Sequence, residues 1–207
     1  LNGRPVRHEK WADEVMVDYA LDFIEENRGK PCLLYLPSLS PHTPLRAPNR
    51  WSAFHRNRGI PSALAELNGM VSMLDEQMGR LISRIKEAGL WDETLFIFTS
   101  DNGPAINQGI LTDEERVLRK ISVRRGWKGD LWENGVRAPL FIHWPDRLQP
   151  SQIDIPMDQV DLLPTILEWC GISWPDSFPS QDGQSRATMI EKFSRGLFDS
   201  PSDSESL

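Results

Sequence analysis

Asp101 and Asn102 stand side by side directly after the apolar run Leu95-Phe96-Ile97-Phe98-Thr99. A carboxylate and an amide carbonyl at a strand end are hard oxygen donors, suited to Ca²⁺ or Mg²⁺ rather than to zinc. Asp-Asn-Gly is also good turn chemistry, and locally a plain turn is the competing reading. His42 lies between two prolines in Pro41-His42-Thr43-Pro44. A loop stiffened in this way can hold an imidazole where it donates a proton to a leaving oxygen, the alternative being a surface histidine. Lys128 sits within Gly126-Trp127-Lys128-Gly129, where it can meet an anionic substrate as a point charge or simply be solvated. His8, His55 and His143 read as structural: one near the start of the chain, one in a basic stretch, one alternating within a strand.

These residues need a frame to hold them. Val15, Tyr19, Phe23 and Ile24 recur at helical spacing between Trp11 and Asn27, with Gly29 closing the run. Cys32-Leu33-Leu34-Tyr35-Leu36 is too short for a helix and suits a parallel strand buried on both faces. The Pro-rich stretch from Ser38 to Pro48 is the loop that leaves it. A second helix is predicted from about Ser62 to Ala88, with Leu64, Leu67, Val71, Leu74, Met78, Leu81, Ile82 and Ile85 on one face. Leu95–Thr99 and Pro139–Trp144 read as further strands, and Gln159–Cys170 as a short helix. Strand and helix alternating in this order make a parallel α/β sheet the natural architecture. Ligands of such sheets sit beyond the carboxyl ends of the strands, which picks out the loops holding His42 and Asp101-Asn102. Those two loops are therefore expected together at one end of the sheet.

Composition narrows the function classes. With 23 Lys+Arg against 30 Asp+Glu the chain carries a formal charge of −7, and 39% of its 207 residues are hydrophobic. That is a globular composition, neither disordered nor rod-like. The acidic balance argues against a nucleic-acid partner, and no apolar run is long enough to span a membrane. Two cysteines, Cys32 and Cys170, are too few for a disulfide framework or a Cys-rich zinc site. The opening residues, LNGRPVRHEK, show neither an initiator Met nor an apolar signal core, so the chain reads as cut from a longer protein.

Taken together and in this order, the motifs resemble the sulfatase family. The resemblance runs through Ser40-Pro41-His42-Thr43-Pro44-Leu45, Ala88-Gly89-Leu90-Trp91-Asp92-Glu93-Thr94-Leu95 and Thr99-Ser100-Asp101-Asn102-Gly103-Pro104. It continues through Lys128-Gly129, Glu133-Asn134-Gly135-Val136-Arg137-Ala138-Pro139-Leu140 and Asp161-Leu162-Leu163-Pro164-Thr165. It implies an alkaline-phosphatase-like α/β fold, a mostly parallel sheet flanked by helices and here incomplete, that hydrolyses sulfate esters. Residues 1–193 would form a partial catalytic domain, and 194–207 a polar, frayed tail. By the same resemblance Asp101 and Asn102 would be Ca²⁺ ligands (Mg²⁺ less well suited), and His42 and Lys128 would be catalytic and sulfate-binding. Asn rather than His after Asp101 favours the one-metal sulfatase type over two-metal relatives. The implied partner is a small sulfate ester or sulfated carbohydrate, and the implied setting is periplasmic, secreted or lysosomal. The sequence carries no signal for oligomeric state.

The family's nucleophile is a formylglycine made from Cys or Ser in a Cys/Ser-x-Pro/Ala-x-Arg motif. Cys32 and Cys170 do not fit that pattern, and Ser177-Phe178-Pro179-Ser180-Gln181 has Gln where Arg is required. The paired aspartates that complete the metal site in the family are also absent. Weak Ca²⁺ binding and no turnover by this chain alone are therefore expected. A phosphatase or phosphodiesterase of the same superfamily, and a non-catalytic remnant that binds an anion or a protein, are the alternatives.

Overall fold

A computed structural model describes residues 3–106, 109–119 and 124–197. The chain divides into two compact units, Leu1–Trp91 with Asn102–Arg137, and Asp92–Asp101 with Ala138–Leu207.

The first unit is helical. Helix α1 spans Ala12–Glu26, and Glu14 in its first turn accepts a hydrogen bond from the Trp11 N–H at 3.1 Å. Asp13 and Glu14 also place negative charge where the helix dipole favours it. Helix α2 covers Asn49–Arg56 and α3 covers Ser62–Glu87. Arg84 and Lys86 complement the carboxyl end of α3. The buried face of α3 carries Leu64, Leu67, Met70, Met73, Leu81 and Ile85. It differs from the predicted stripe at Val71, which is 49% exposed, because the helix turns Met70 and Met73 inward instead. Gly69 lets α2 approach α3 closely: a Cβ there would lie 2.7 Å from the Ala47 Cβ and 3.0 Å from the Ser52 nitrogen. Leu64 and Leu67 pack with Leu111, Leu45 and Ile60. Helix α4, Asp113–Leu118, starts on a capping box in which Thr112 and Glu115 satisfy each other's backbone N–H. The buried Glu115 carboxylate also accepts from the Leu64 N–H at 3.2 Å, tying α4 to the start of α3. Helix α5 is the single turn Glu133–Val136.

The stretch around Cys32–Leu36 does not form the expected buried strand. It pairs with no other strand among the described residues, and Leu33 and Tyr35 are 77% and 83% exposed. Apolar content alone does not make a strand, because a strand exists only through a neighbour that takes its N–H and C=O groups.

The second unit holds β1, Phe96–Thr99, and β2, Leu140–His143. They pair in antiparallel register, Phe96 opposite His143 and Thr99 opposite Leu140. This corrects the parallel pairing expected for this pair. The long excursion between them leaves the return direction free. It is settled by the facing Phe98 and Phe141 rings, 6.3 Å apart, and by the Thr99 hydroxyl donating to the Pro139 carbonyl at 2.9 Å. A 3₁₀ turn, Gln159–Asp161, leads into α6, Leu162–Trp169, and α7 spans Ala187–Ser194. The core gathers Trp169, Ala187, Met189 and Ile190, with Leu95, Ile142 and Trp144 against it. Ser194, where the tail is expected to begin, is buried as the last residue of α7. The tail from residue 198 on lies outside the described residues.

Candidate functional site

His42 projects from a loop anchored to α1. The Asp13 carboxylate, itself only 4% exposed, accepts from the Ser38 hydroxyl at 2.6 Å and the Leu39 N–H at 3.1 Å on Oδ1. Its Oδ2 accepts from the Ser40 hydroxyl at 2.5 Å. The His42 N–H then donates to the Leu39 carbonyl at 2.9 Å and closes the turn. On the ring, Nδ1 lies 2.9 Å from the Thr43 carbonyl. A carbonyl only accepts, so Nδ1 carries the proton and Nε2 is the nitrogen presented outward.

Asn102 and Lys128 lie on two loops joined by backbone hydrogen bonds, in the same unit as His42. The Lys128 N–H donates to the Pro104 carbonyl at 2.8 Å, and the Gly103 N–H donates to the Gly135 carbonyl at 3.0 Å. The second crossing tolerates no side chain on either glycine. A Cβ at Gly103 would fall 1.9 Å from the Asn134 oxygen, and one at Gly135 would fall 2.3 Å from the Asp130 oxygen and 2.4 Å from that of Trp127. The buried Asn134 amide donates to the Gly126 carbonyl at 2.8 Å and holds the lysine loop from inside. The Lys128 ammonium is exposed and makes no ion pair among the described residues. Neighbouring charges behave differently, since Glu133 pairs with both Arg124 and Arg137.

Asp101 belongs to the second unit, two residues beyond the end of β1. The Gln159 side-chain amide donates to the carbonyls of Ser100 and Asp101, each at 2.8 Å, and so holds the backbone that carries the carboxylate. Gln159 is in turn placed by the 3₁₀ turn that ends at buried Asp161. Asp101 is exposed, with the Ser100 hydroxyl 3.4 Å from its Oδ1.

The donor types at these two positions fit a hard cation. Asp101 offers a carboxylate and Asn102 an amide whose Nδ2 donates to the Gly103 carbonyl at 2.8 Å, so its Oδ1 is the hard donor of that side chain. The donor number is small: among the described residues no group of three His, Cys, Asp or Glu converges on a metal position.

The other histidines have structural partners. His8 meets the Tyr19 hydroxyl at 3.1 Å, His55 meets the Ser72 hydroxyl at 2.9 Å, and His143 lies in β2. The Ser177–Gln181 stretch is a surface loop whose Pro179 carbonyl accepts from the Trp174 indole at 3.1 Å. Asp13 and Gln159, which hold the loops, escaped the sequence reading. Their partners lie 25 or more residues away, and no local signal marks them.

Comparison with known proteins adds a family. The family model described as Sulfatase matches residues 3–172. The chain is similar to mouse steryl-sulfatase, 33% identical over 161 residues that make up 77% of this chain and 24% of that protein. It is 28% identical to the N-acetylgalactosamine-6-O-sulfatase of Bacteroides thetaiotaomicron, over 75% of this chain and 30% of that protein. Among solved structures it resembles Ps i-CgsB in complex with k-i-k-neocarrahexaose, with a TM-score of 0.79 and 27% identity, covering 92% of this chain and 41% of that one. The chain thus spans only about a quarter to a third of the length of these curated relatives.

Proposed function

Because this chain belongs to the sulfatase family and shares its alkaline-phosphatase-like fold, we propose that it supplies the anion-holding residues of a sulfuric ester hydrolase. Lys128 and His42 contact the sulfate, and Asp101 and Asn102 contribute oxygens to a Ca²⁺ site. The observation that carries this reading is the hydrogen-bonded loop pair. It ties the backbone of Lys128, whose ammonium has no ion pair among the described residues, to Pro104 in the segment that follows Asn102, next to a Gly103–Gly135 crossing with no room for a side chain. An unpaired lysine on a backbone this constrained is poised for an anion.

Each residue then has a definite task. Lys128 neutralises a sulfate oxygen or the bridging ester oxygen as charge develops there. His42, with Nδ1 held by Thr43, presents Nε2, which in the imidazolium form donates to the departing alkoxide. Asp101 and Asn102 would hold the cation, whose contribution when bound is to neutralise the sulfate and fix its orientation. The proposed substrate is a sulfate ester of a carbohydrate, steroid or aromatic alcohol, met in a periplasmic, secreted or lysosomal setting. Among the described residues no helix is long and apolar enough to cross a membrane.

Sulfate titration of the labelled chain, with and without Ca²⁺, followed by NMR, tests the proposal. Sulfate is expected to shift the resonances of His42 and of the Lys128 loop. Lys128→Ala should weaken binding by about tenfold, the loss of one charge-assisted contact, with Lys128→Arg in between. Asp101→Ala should abolish the Ca²⁺ dependence and leave the fold intact. Equal sulfate affinity in the wild type, Lys128→Ala and His42→Ala would reject the assignment.

A further inference from the structure

We propose that Asp13 is the positioning residue for His42, acting through Ser38, Leu39 and Ser40 to fix the direction in which the imidazole is presented. The inference rests on the reading above, in which His42 contacts the sulfate.

The geometry is more specific than helix capping requires. Asp13 takes three donors from three consecutive residues of a segment that has no strand neighbour among the described residues. Both hydroxyls and the Leu39 N–H converge on one carboxylate in the first turn of α1, and Ser40 is itself buried. Those bonds take the place of a sheet ladder as the fixed reference for the loop. Leu39 passes the constraint on, since its N–H is bound to Asp13 and its carbonyl receives the His42 N–H. Only one carboxylate therefore separates a rigid helix from the turn that carries the imidazole. Capping of α1 does not account for this arrangement, because Glu14 already receives the Trp11 N–H.

Asp13→Asn separates positioning from stability. Asn keeps the size and one accepting oxygen, but its NH₂ cannot accept from the Ser40 hydroxyl. Ser40→Ala removes the same bond from the other side and serves as the second variant should Asp13→Asn unfold. Asp18→Asn is the control, because Asp18 lies on the same helix and is paired with Lys10 and Arg80, away from the loop. Three quantities are read on the full chain: thermal midpoint, exchange of the His42 amide, and the sulfate-induced shift of the His42 ring resonances. Asp13→Asn and Ser40→Ala should both speed exchange of the His42 amide, Asp13→Asn by about tenfold, as expected for a lost buried hydrogen bond. Sulfate should bind Asp13→Asn at least about threefold more weakly, on the same scale. Asp18→Asn, which removes a more exposed pair, should change the midpoint little and leave both His42 readouts unchanged. His42 exchange equal to wild type in Asp13→Asn and Ser40→Ala overturns the inference, as does an Asp18→Asn effect on His42 as large as theirs. Failure of sulfate to shift any wild-type His42 resonance overturns the sulfate reading instead, and the exchange comparison still decides whether Asp13 positions the loop.

Discussion

At Asp161 two influences oppose each other. Burial pushes the carboxyl up, while the Gln184 N–H, the Arg186 guanidinium and the Asp158 N–H together pull it further down, leaving it below the usual carboxylate range. The Gln184 nitrogen is 2.8 Å from Oδ1 and the Arg186 Nε is 3.0 Å from Oδ2. A carboxyl lowered in the folded state contributes stability that is fully present above its unfolded value, about 3.9, and is lost as pH falls through the folded value. Unfolding free energy should therefore decline below about pH 5. Asp161→Asn should flatten part of that acid limb and cost about 2 kcal/mol at neutral pH, because the amide keeps one accepting oxygen where the carboxylate offers two, and Arg186 loses its charged partner. Asp18 and Glu76 are lowered too, Asp18 chiefly by its hydrogen bond from Lys10, and Glu76 by its bonds from Arg50 and Trp51 against the opposing burial. They are more exposed pairs and should add little to the acid limb. Urea titrations from pH 3 to about pH 8 measure the difference. An acid limb of unchanged slope in Asp161→Asn would remove Asp161 from the account. The same residue ends the 3₁₀ turn bearing Gln159, so the substitution should also loosen the backbone at Ser100 and Asp101.

Between elements, the constraint is backbone against backbone. Gly135 faces the Asp130 and Trp127 carbonyls at distances no Cβ can occupy, so Gly135→Ala must open the Lys128 loop. Gly129, at φ +94°, has open space around it, and a side chain there meets only the conformational penalty. Gly135→Ala should thus cost more than the roughly 1–2 kcal/mol of Gly129→Ala. It should also weaken sulfate binding as much as Lys128→Ala does, with helical circular dichroism nearly unchanged. Equal effects of the two glycine variants would contradict the close-approach argument. This is also the scale at which the sequence was partly readable. Helices α1 and α3 ended within a residue of expectation, because several turns of apolar periodicity and a following glycine mark them. Helix α2 was missed, since it follows a Pro-rich loop and its Phe54 stays exposed. The short runs at Phe96 and Leu140 were legible as strands, but their mutual direction depends on a partner far along the chain. The motifs around His42, Asp101 and Lys128 could be found locally. What holds them could not, because Asp13, Gln159 and Pro104 reach them through contacts across tens of residues.

For the molecule as a whole, the decisive feature is a missing reaction partner for the sulfur. Each unit has its own apolar core, around Leu64 and Leu111 in one and Trp169 and Ile190 in the other, so each has the means to hold its loops. Holding an anion is not turning it over. The family resemblance implies a first step in which an aldehyde hydrate attacks sulfur, and these 207 residues contain no Cys or Ser in the motif from which that group would be made. Cys32 and Cys170 are free and exposed, yet Cys32 is followed by Leu33-Leu34-Tyr35-Leu36 and Cys170 by Gly171-Ile172-Ser173-Trp174. In the proposed reading Lys128 and His42 would stabilise charge and move a proton, and neither role replaces a covalent step. Water on a weakly held Ca²⁺ would be a poor nucleophile as well, since Ca²⁺ acidifies its ligands far less than Zn²⁺ does. The purified chain, given an aryl sulfate and excess Ca²⁺, should therefore bind the ester and release no phenol above the buffer rate. His42→Ala and Asp101→Ala serve as controls for contaminating hydrolase. Release that disappears in both variants would establish a nucleophile among these residues and overturn the division between holding and cleaving. Release that persists equally in both is independent of the proposed site and points to a contaminating hydrolase.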